Sequence, residues 1–95
     1  MAVVVGLLQV ELGIPGNRSL KGKRRVLNSV KERVRSQFNV SIAEVELNDV
    51  WDAALLGVSC VANQSQPVHQ TLSKVVSAME RCRDVTLVDY AIEIL

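Results

Sequence analysis

Apolar residues recur at two different periods along this chain, and the changes between them mark its elements. Val3 to Leu12 is rich in Val and Leu and predicts a first strand. Its even positions Val4, Leu8, Val10 and Leu12 are apolar, while the odd ones run from Val3, Val5 and Leu7 to Gln9 and Glu11. One face of that strand is dry throughout, and the other turns wet toward its end. Gly13-Ile14-Pro15-Gly16-Asn17 breaks it. Ser19 then offers a hydroxyl to the orphan N–H groups of a first helical turn. Val26, Leu27, Val30 and Val34 follow at helical spacing, with Lys21, Arg24, Arg25, Asn28 and Arg35 near the opposite side, so a helix is expected over Leu20 to Gln37.

Val40 to Leu47 alternates with polar residues and predicts a second strand; Asn48 to Asp52 is a connection. Ala54 to Ala62 is mostly apolar and long enough for a central strand. Asn63 to Pro67 ends it, with Pro67 suited to the first turn of a second helix. Val68, Leu72, Val75, Val76 and Met79 make that helix amphipathic, fading after Arg83. Val85 to Leu95 predicts a fourth strand with Val88, Tyr90, Ile92 and Ile94 on one face. The order strand–helix–strand–strand–helix–strand predicts an α+β, ferredoxin-like βαββαβ sandwich. Two right-handed crossovers place both helices on one face of a four-stranded antiparallel sheet, with strands 1 and 3 central and 2 and 4 at the edges. Ninety-five residues without a linker or low-complexity tract predict a single domain over 1–95.

Composition is that of a globular chain, 48% apolar and 22% charged. Net charge is +1, but it is unevenly spread. Arg18 to Arg35 holds eight Lys/Arg against the single acid Glu32, giving +7; the remainder holds three bases and nine acids, giving −6. Such asymmetry points to an anionic partner. Cys60 and Cys82 lie in apolar settings, which suits free thiols in a reducing compartment. The start Met1-Ala2-Val3-Val4-Val5 has no basic n-region or cleavage pattern, and no apolar run approaches the roughly 20 residues of a membrane span. A cytoplasmic protein without a membrane partner is expected.

Arg18, Lys21, Arg24, Arg25, Lys31 and Arg35 are the candidate nucleic-acid-binding residues. Spacings of three and four keep several on one stripe, where their mutual repulsion is relieved either by solvent and salt or by phosphate. The Gly16-Asn17-Arg18-Ser19-Leu20-Lys21-Gly22-Lys23-Arg24 segment superficially resembles a phosphate-binding P-loop. Five residues rather than four separate its glycines, Arg24 stands where Ser or Thr would hold Mg²⁺, and Gly22-Lys23 falls inside the helix. Lys23, by helical phase, points toward the apolar side. A charge there must snorkel out or find a carboxylate, and Glu44, Glu46 and Asp49 are in reach; a structural ion pair is favoured over a binding role.

Glu44, Glu46, Asp49 and Asp52 crowd together, but their spacing matches no calcium loop and no histidine is near. His69 is the lone histidine and has no nucleophile in sequence reach. No catalytic, metal or cofactor site is therefore expected, and no enzymatic activity. Trp51, on the connection between strands 2 and 3, either anchors a partner or folds back to cap the core. On the open sheet face, Val3, Val5, Leu7, Leu55 and Val61 form a candidate protein interface. Around them lie Gln9, Glu11, Ser59, Asp89 and Glu93, a rim consistent with a homodimer. Phe38, Trp51 and Tyr90 are all expected off that face, which argues against the RNA-stacking mode of an RRM sheet.

Ile14-Pro15, Ser19-Leu20-Lys21-Gly22-Lys23-Arg24-Arg25, Phe38-Asn39-Val40-Ser41-Ile42-Ala43-Glu44, Asp49-Val50-Trp51 and Glu93-Ile94-Leu95 together resemble the small bacterial DUF503, or YlxP-like, family over nearly the whole chain. The resemblance implies a ferredoxin-like fold and no established enzymatic activity. Its members' gene neighbourhoods, beside translation-initiation and ribosome-maturation genes, imply a role near the ribosome by association. Members often carry an acid where this chain has Gly22, which predicts a looser, more positive first helical turn here. The resulting expectation is a non-catalytic accessory protein touching RNA or a ribosomal subunit, with a homodimerising or protein-interaction module as the alternative.

Overall fold

A computed structural model describes residues 2–95. The elements follow the order read from the hydropathy pattern: β1 (Val4–Gly13), α1 (Leu20–Gln37), β2 (Ser41–Glu46), β3 (Ala53–Ala62), α2 (Ser65–Glu80) and β4 (Thr86–Ile94). The strands form one antiparallel sheet in the order β2-β3-β1-β4, so β1 and β3 are central, and the fold is ferredoxin-like.

Register explains which side is dry. Leu8, Val10 and Leu12 of β1 stand opposite Val58, Leu56 and Ala54 of β3. All six are fully buried beneath the helices, as strict alternation requires. Leu27, Val30 and Val34 of α1 and Val68, Leu72, Val75, Val76 and Met79 of α2 complete the core. Helix α2 lies close on β1: a Cβ built on Gly6 would overlap the Val68 side chain and come within 2.9 Å of Leu72 Cδ1. Glycine is required there for clearance.

Both edge strands depart from simple alternation. In β2 the pairing slips between Glu44 and Glu46, leaving Val45 as an extra residue. In β4 it slips where Glu11 faces Asp89 and Leu12 faces Leu87, so Val88 is the extra residue. Val88 is therefore not on the face shared by Tyr90, Ile92 and Ile94, as alternation predicted. Leu87 takes the inward place opposite Leu12 and packs on the core, and Val88 is exposed. Helix α2 stops at Glu80 rather than fading past Arg83. The N–H groups of Arg81 and Cys82 turn back to Ala78 O and Met79 O, and the turn delivers buried Val85 ahead of β4. Among the described residues no helix is long and apolar enough to cross a membrane.

Candidate functional site

The entry to α1 is tied down by short polar side chains. Ser19 is extended (φ −151°, ψ 152°), and its Oγ accepts the Gly22 N–H at 3.0 Å. Asn17 Nδ2 donates to Ser19 O at 2.8 Å and to Trp51 O at 2.5 Å. A Cβ on Gly22 would overlap Asn17 Oδ1. The glycine expected to slacken this turn is also the clearance that lets Asn17 link the turn to the β2–β3 connection.

Beyond this entry, Lys21, Arg24, Arg25, Lys31 and Arg35 fall within an arc of roughly 120° around the axis at 3.6 residues per turn. Arg18 precedes them in the loop. All are exposed except Lys31, which is half-buried. Arg35 reaches β2, where its Nη2 donates to Ile42 O at 3.1 Å. Among the described residues the single ion pair is that of Lys23 with Glu44, so none of these six cations is neutralised by a carboxylate.

Lys23 is the cation that turns inward, only 2% exposed. Its Nζ donates to Leu47 O and Val50 O, each at 2.7 Å, and lies 2.8 Å from Glu44 Oε2. The Glu44 contact is an ion pair outside hydrogen-bonding angles, while the two carbonyls take the directed bonds. Of the three carboxylates within sequence reach, β2 register selects Glu44, because it stands opposite inward-facing Leu56. The carbonyl partners were not legible beforehand, since backbone acceptors leave no mark on side-chain identity. They belong to a turn closed by Val50 N–H to Leu47 O at 2.9 Å, in which Leu47 adopts φ +64°.

Three successive carbonyls of the β2–β3 connection are thus held from the α1 side: Val50 O by Lys23, Trp51 O by Asn17 and Asp52 O by the Ile14 N–H at 2.8 Å. Between the two loops lies a cleft of about 550 Å³ lined by Gly16, Asn17, Arg18, Asp49, Trp51 and Asp52. A smaller recess of about 190 Å³ adjoins it through Asp49 and is lined also by Lys23, Arg24 and Glu44. Trp51 is 53% exposed and stands apart from the core, so it does not cap the hydrophobic interior. The cleft combines residues some thirty positions apart in sequence, which is why no local pattern announced it.

The remaining candidates are dispersed. Glu44 is committed to Lys23, and no group of three potential metal ligands occurs among the described residues. His69 Nδ1 lies 3.4 Å from Ser73 Oγ, one turn along the outer side of α2. Cys60 and Cys82 are free thiols; burial raises the Cys60 pKa.

On the open face, Val5, Leu7, Leu55 and Val61 lie at paired positions, Val5 opposite Val61 and Glu11 opposite Leu55. Val3, just before β1, and Val61 are strongly exposed, whereas Val5, Leu7 and Leu55 are half-buried. Glu11 faces Asp89 directly and Leu7 faces Glu93, so the apolar positions are interleaved with carboxylates. Tyr90 is inward by register, opposite Val10, yet half exposed at the rim. It lines a shallow groove with Gln9, Glu11, Leu55, Asp89 and Ala91, nearer the open face than expected.

Comparison with known proteins agrees with this architecture. The chain is 31% identical over 77 residues to the protein described as "Uncharacterized protein YlxP" of Bacillus subtilis (strain 168), covering 81% of this chain and 84% of that one. Among solved structures, the de novo designed protein Foldit4 superposes with a TM-score of 0.59 at 10% identity, covering 98% of this chain and 96% of its own. A C-terminal segment of the alpha subunit of aIF2 from Pyrococcus abyssi superposes at 0.53 and 11% identity, covering all of this chain and 51% of its own. These structural likenesses concern the fold alone. The family model for "Protein of unknown function (DUF503)" matches residues 5–92, and the chain belongs to that family.

Proposed function

We propose that this protein is a non-catalytic accessory factor that binds structured RNA, such as that of a ribosomal subunit, through the α1 surface. The observation that carries this reading is the row of Arg18, Lys21, Arg24, Arg25, Lys31 and Arg35, for none of which a carboxylate partner occurs among the described residues. Like charges crowded on one stripe, with Glu32 the single acid among them, repel, and phosphates relieve that repulsion while releasing counterions. Such contacts position the protein on RNA and carry little sequence information.

The test is fluorescence anisotropy with a fully paired RNA hairpin across a salt series. Four to six phosphate contacts give a log–log salt slope of about −3 to −5. Reversal of Arg24 and Arg25 to Glu lowers affinity by at least an order of magnitude. Affinity insensitive to salt, or unchanged in that variant, sinks the reading.

A second reading is homodimerisation through the open sheet face, favoured by exposed Val3 (65%) and Val61 (69%) beside Val5, Leu7 and Leu55. It ranks lower because a two-fold contact would press a face bearing Glu11, Asp89 and Glu93 against another of the same charge. Light scattering at high protein concentration decides it: a dimer that Val61→Glu dissociates supports it, and a monomer throughout removes it.

A further inference from the structure

The cleft between residues 16–18 and 49–52 has properties that the basic stripe does not need. Its volume, about 550 Å³, falls within the usual range of small-ligand pockets, roughly 300–1,000 Å³. Trp51 presents a large ring to solvent instead of the core. The backbone on both sides of that ring is clamped, since Val50 O, Trp51 O and Asp52 O each accept a bond from the α1 side. An exposed aromatic on a loop fixed at three consecutive carbonyls is a preorganised stacking platform, with little ordering entropy left to lose on binding.

The polar lining narrows the ligand. Asp49 and Asp52 contribute two carboxylates and Arg18 one cation. Carboxylates repel a bare phosphate, so the group that enters the cleft must bring N–H donors, and any phosphate must stay with Arg18. Ionised carboxylates only accept hydrogen bonds. Among the four RNA bases, guanine alone presents two adjacent N–H donors, N1–H and N2–H, on its Watson–Crick edge. Adenine and cytosine pair each donor with a ring acceptor, and uracil flanks its single N–H with carbonyls. A basic peptide would suit the carboxylates and the indole. It would, however, have to dock beside Arg18, Lys21 and Arg24, within a segment carrying +7.

We propose that this cleft receives one unpaired guanine of the bound RNA. Trp51 stacks on the base, a carboxylate of Asp49 or Asp52 accepts from its N1–H and N2–H, and Arg18 holds the adjoining phosphate. This rests on the RNA-binding reading and adds a base preference to it. Single-stranded bases splayed onto aromatic rings and read at their Watson–Crick edges are a general mode of RNA recognition.

The test uses one RNA hairpin in five forms, fully paired or with a single bulged G, A, C or U, together with free 5′-GMP and N-acetyl-arginine amide. Trp51 is the chain's single tryptophan, so its fluorescence reports the cleft directly. The G-bulged hairpin is expected to bind on the order of tenfold tighter than the paired one and to quench Trp51. Trp51→Ala should abolish that preference while leaving the paired hairpin's affinity in place. The double variant Asp49→Asn, Asp52→Asn should abolish it without weakening the paired hairpin, whose affinity rises as two negative charges are removed. Equal, salt-dependent binding of all five hairpins without quenching overturns the guanine site and leaves the α1 reading standing. An equal gain for all four bulged bases also overturns it, as does stronger quenching by the arginine amide than by 5′-GMP. Failure of every hairpin to bind overturns both.

Discussion

The ammonium of Lys23 lies 2.7 Å from the carbonyl oxygen of Leu47, a residue held at φ +64°. Left-handed backbone costs a leucine roughly 1–2 kcal/mol. The turn keeps that conformation because its carbonyls supply the acceptors that a buried ammonium requires. Lys23 therefore joins α1, β2 and the loop that carries Trp51.

Replacing Lys23 with Met keeps the aliphatic stem but strips Leu47 O and Val50 O of their donor and Glu44 of its counter-ion. The expected loss is about 3–5 kcal/mol, the scale for removing one member of a buried pair. Adding Glu44→Leu to Lys23→Met should restore part of it. Urea unfolding of the two single variants and the double variant measures this, and additive losses would contradict the coupling.

Leu47→Gly relieves the positive φ and should raise stability by about 1 kcal/mol. A lower urea midpoint with an unchanged m-value would show that the leucine side chain matters more than its backbone.

Gly22→Ala provides a test whose sign depends on a second residue. Alanine is favoured over glycine within a helix by about 1 kcal/mol. Here its Cβ would displace the Asn17 amide, which makes two hydrogen bonds worth about 1 kcal/mol each. The substitution should destabilise the native protein by about 1 kcal/mol and stabilise an Asn17→Ala background by a similar amount. The same sign in both backgrounds would refute the clearance argument.

Much of the fold was legible in the sequence because period-2 and period-3.6 patterns report burial directly. That is why α1 is found where expected and Lys23 was recognised as inward-facing. What escaped notice is not encoded by periodicity. A bulge adds a residue without changing composition, so Val88 was placed on the wrong face. The cleft joins loops that only the topology brings together. The clearance that Gly22 gives Asn17 left no trace in the helical pattern, because Asn17 acts from outside the helix.

Glu11 and Asp89 stand directly opposite each other on the open face, and like charges so placed are destabilising. Glu11→Lys should raise stability by roughly 0.5–1 kcal/mol. The gain should shrink in high salt, which screens exposed charges. A salt-independent change would point to packing instead.

Burial raises the Cys60 thiol above its ordinary value of 9.0. The unfolded chain then ionises at lower pH than the native one, so the native state retains the proton longer. Stability should fall as pH rises through about 9, and Cys60→Ala should lack that component. Urea midpoints between pH 8 and 10 measure it; an identical pH slope in both proteins would rule it out.

The bare sheet surface carries Glu11, Asp89 and Glu93, while the helix-covered side carries the unneutralised row of α1. Opposite signs on opposite sides give the molecule an electric moment across the thickness of the sheet. In the field of a polyanion this exerts a torque before any contact is made, turning α1 forward and the strands to the rear. A polyanionic partner of the kind proposed above would meet α1 first and leave the far side open to solution.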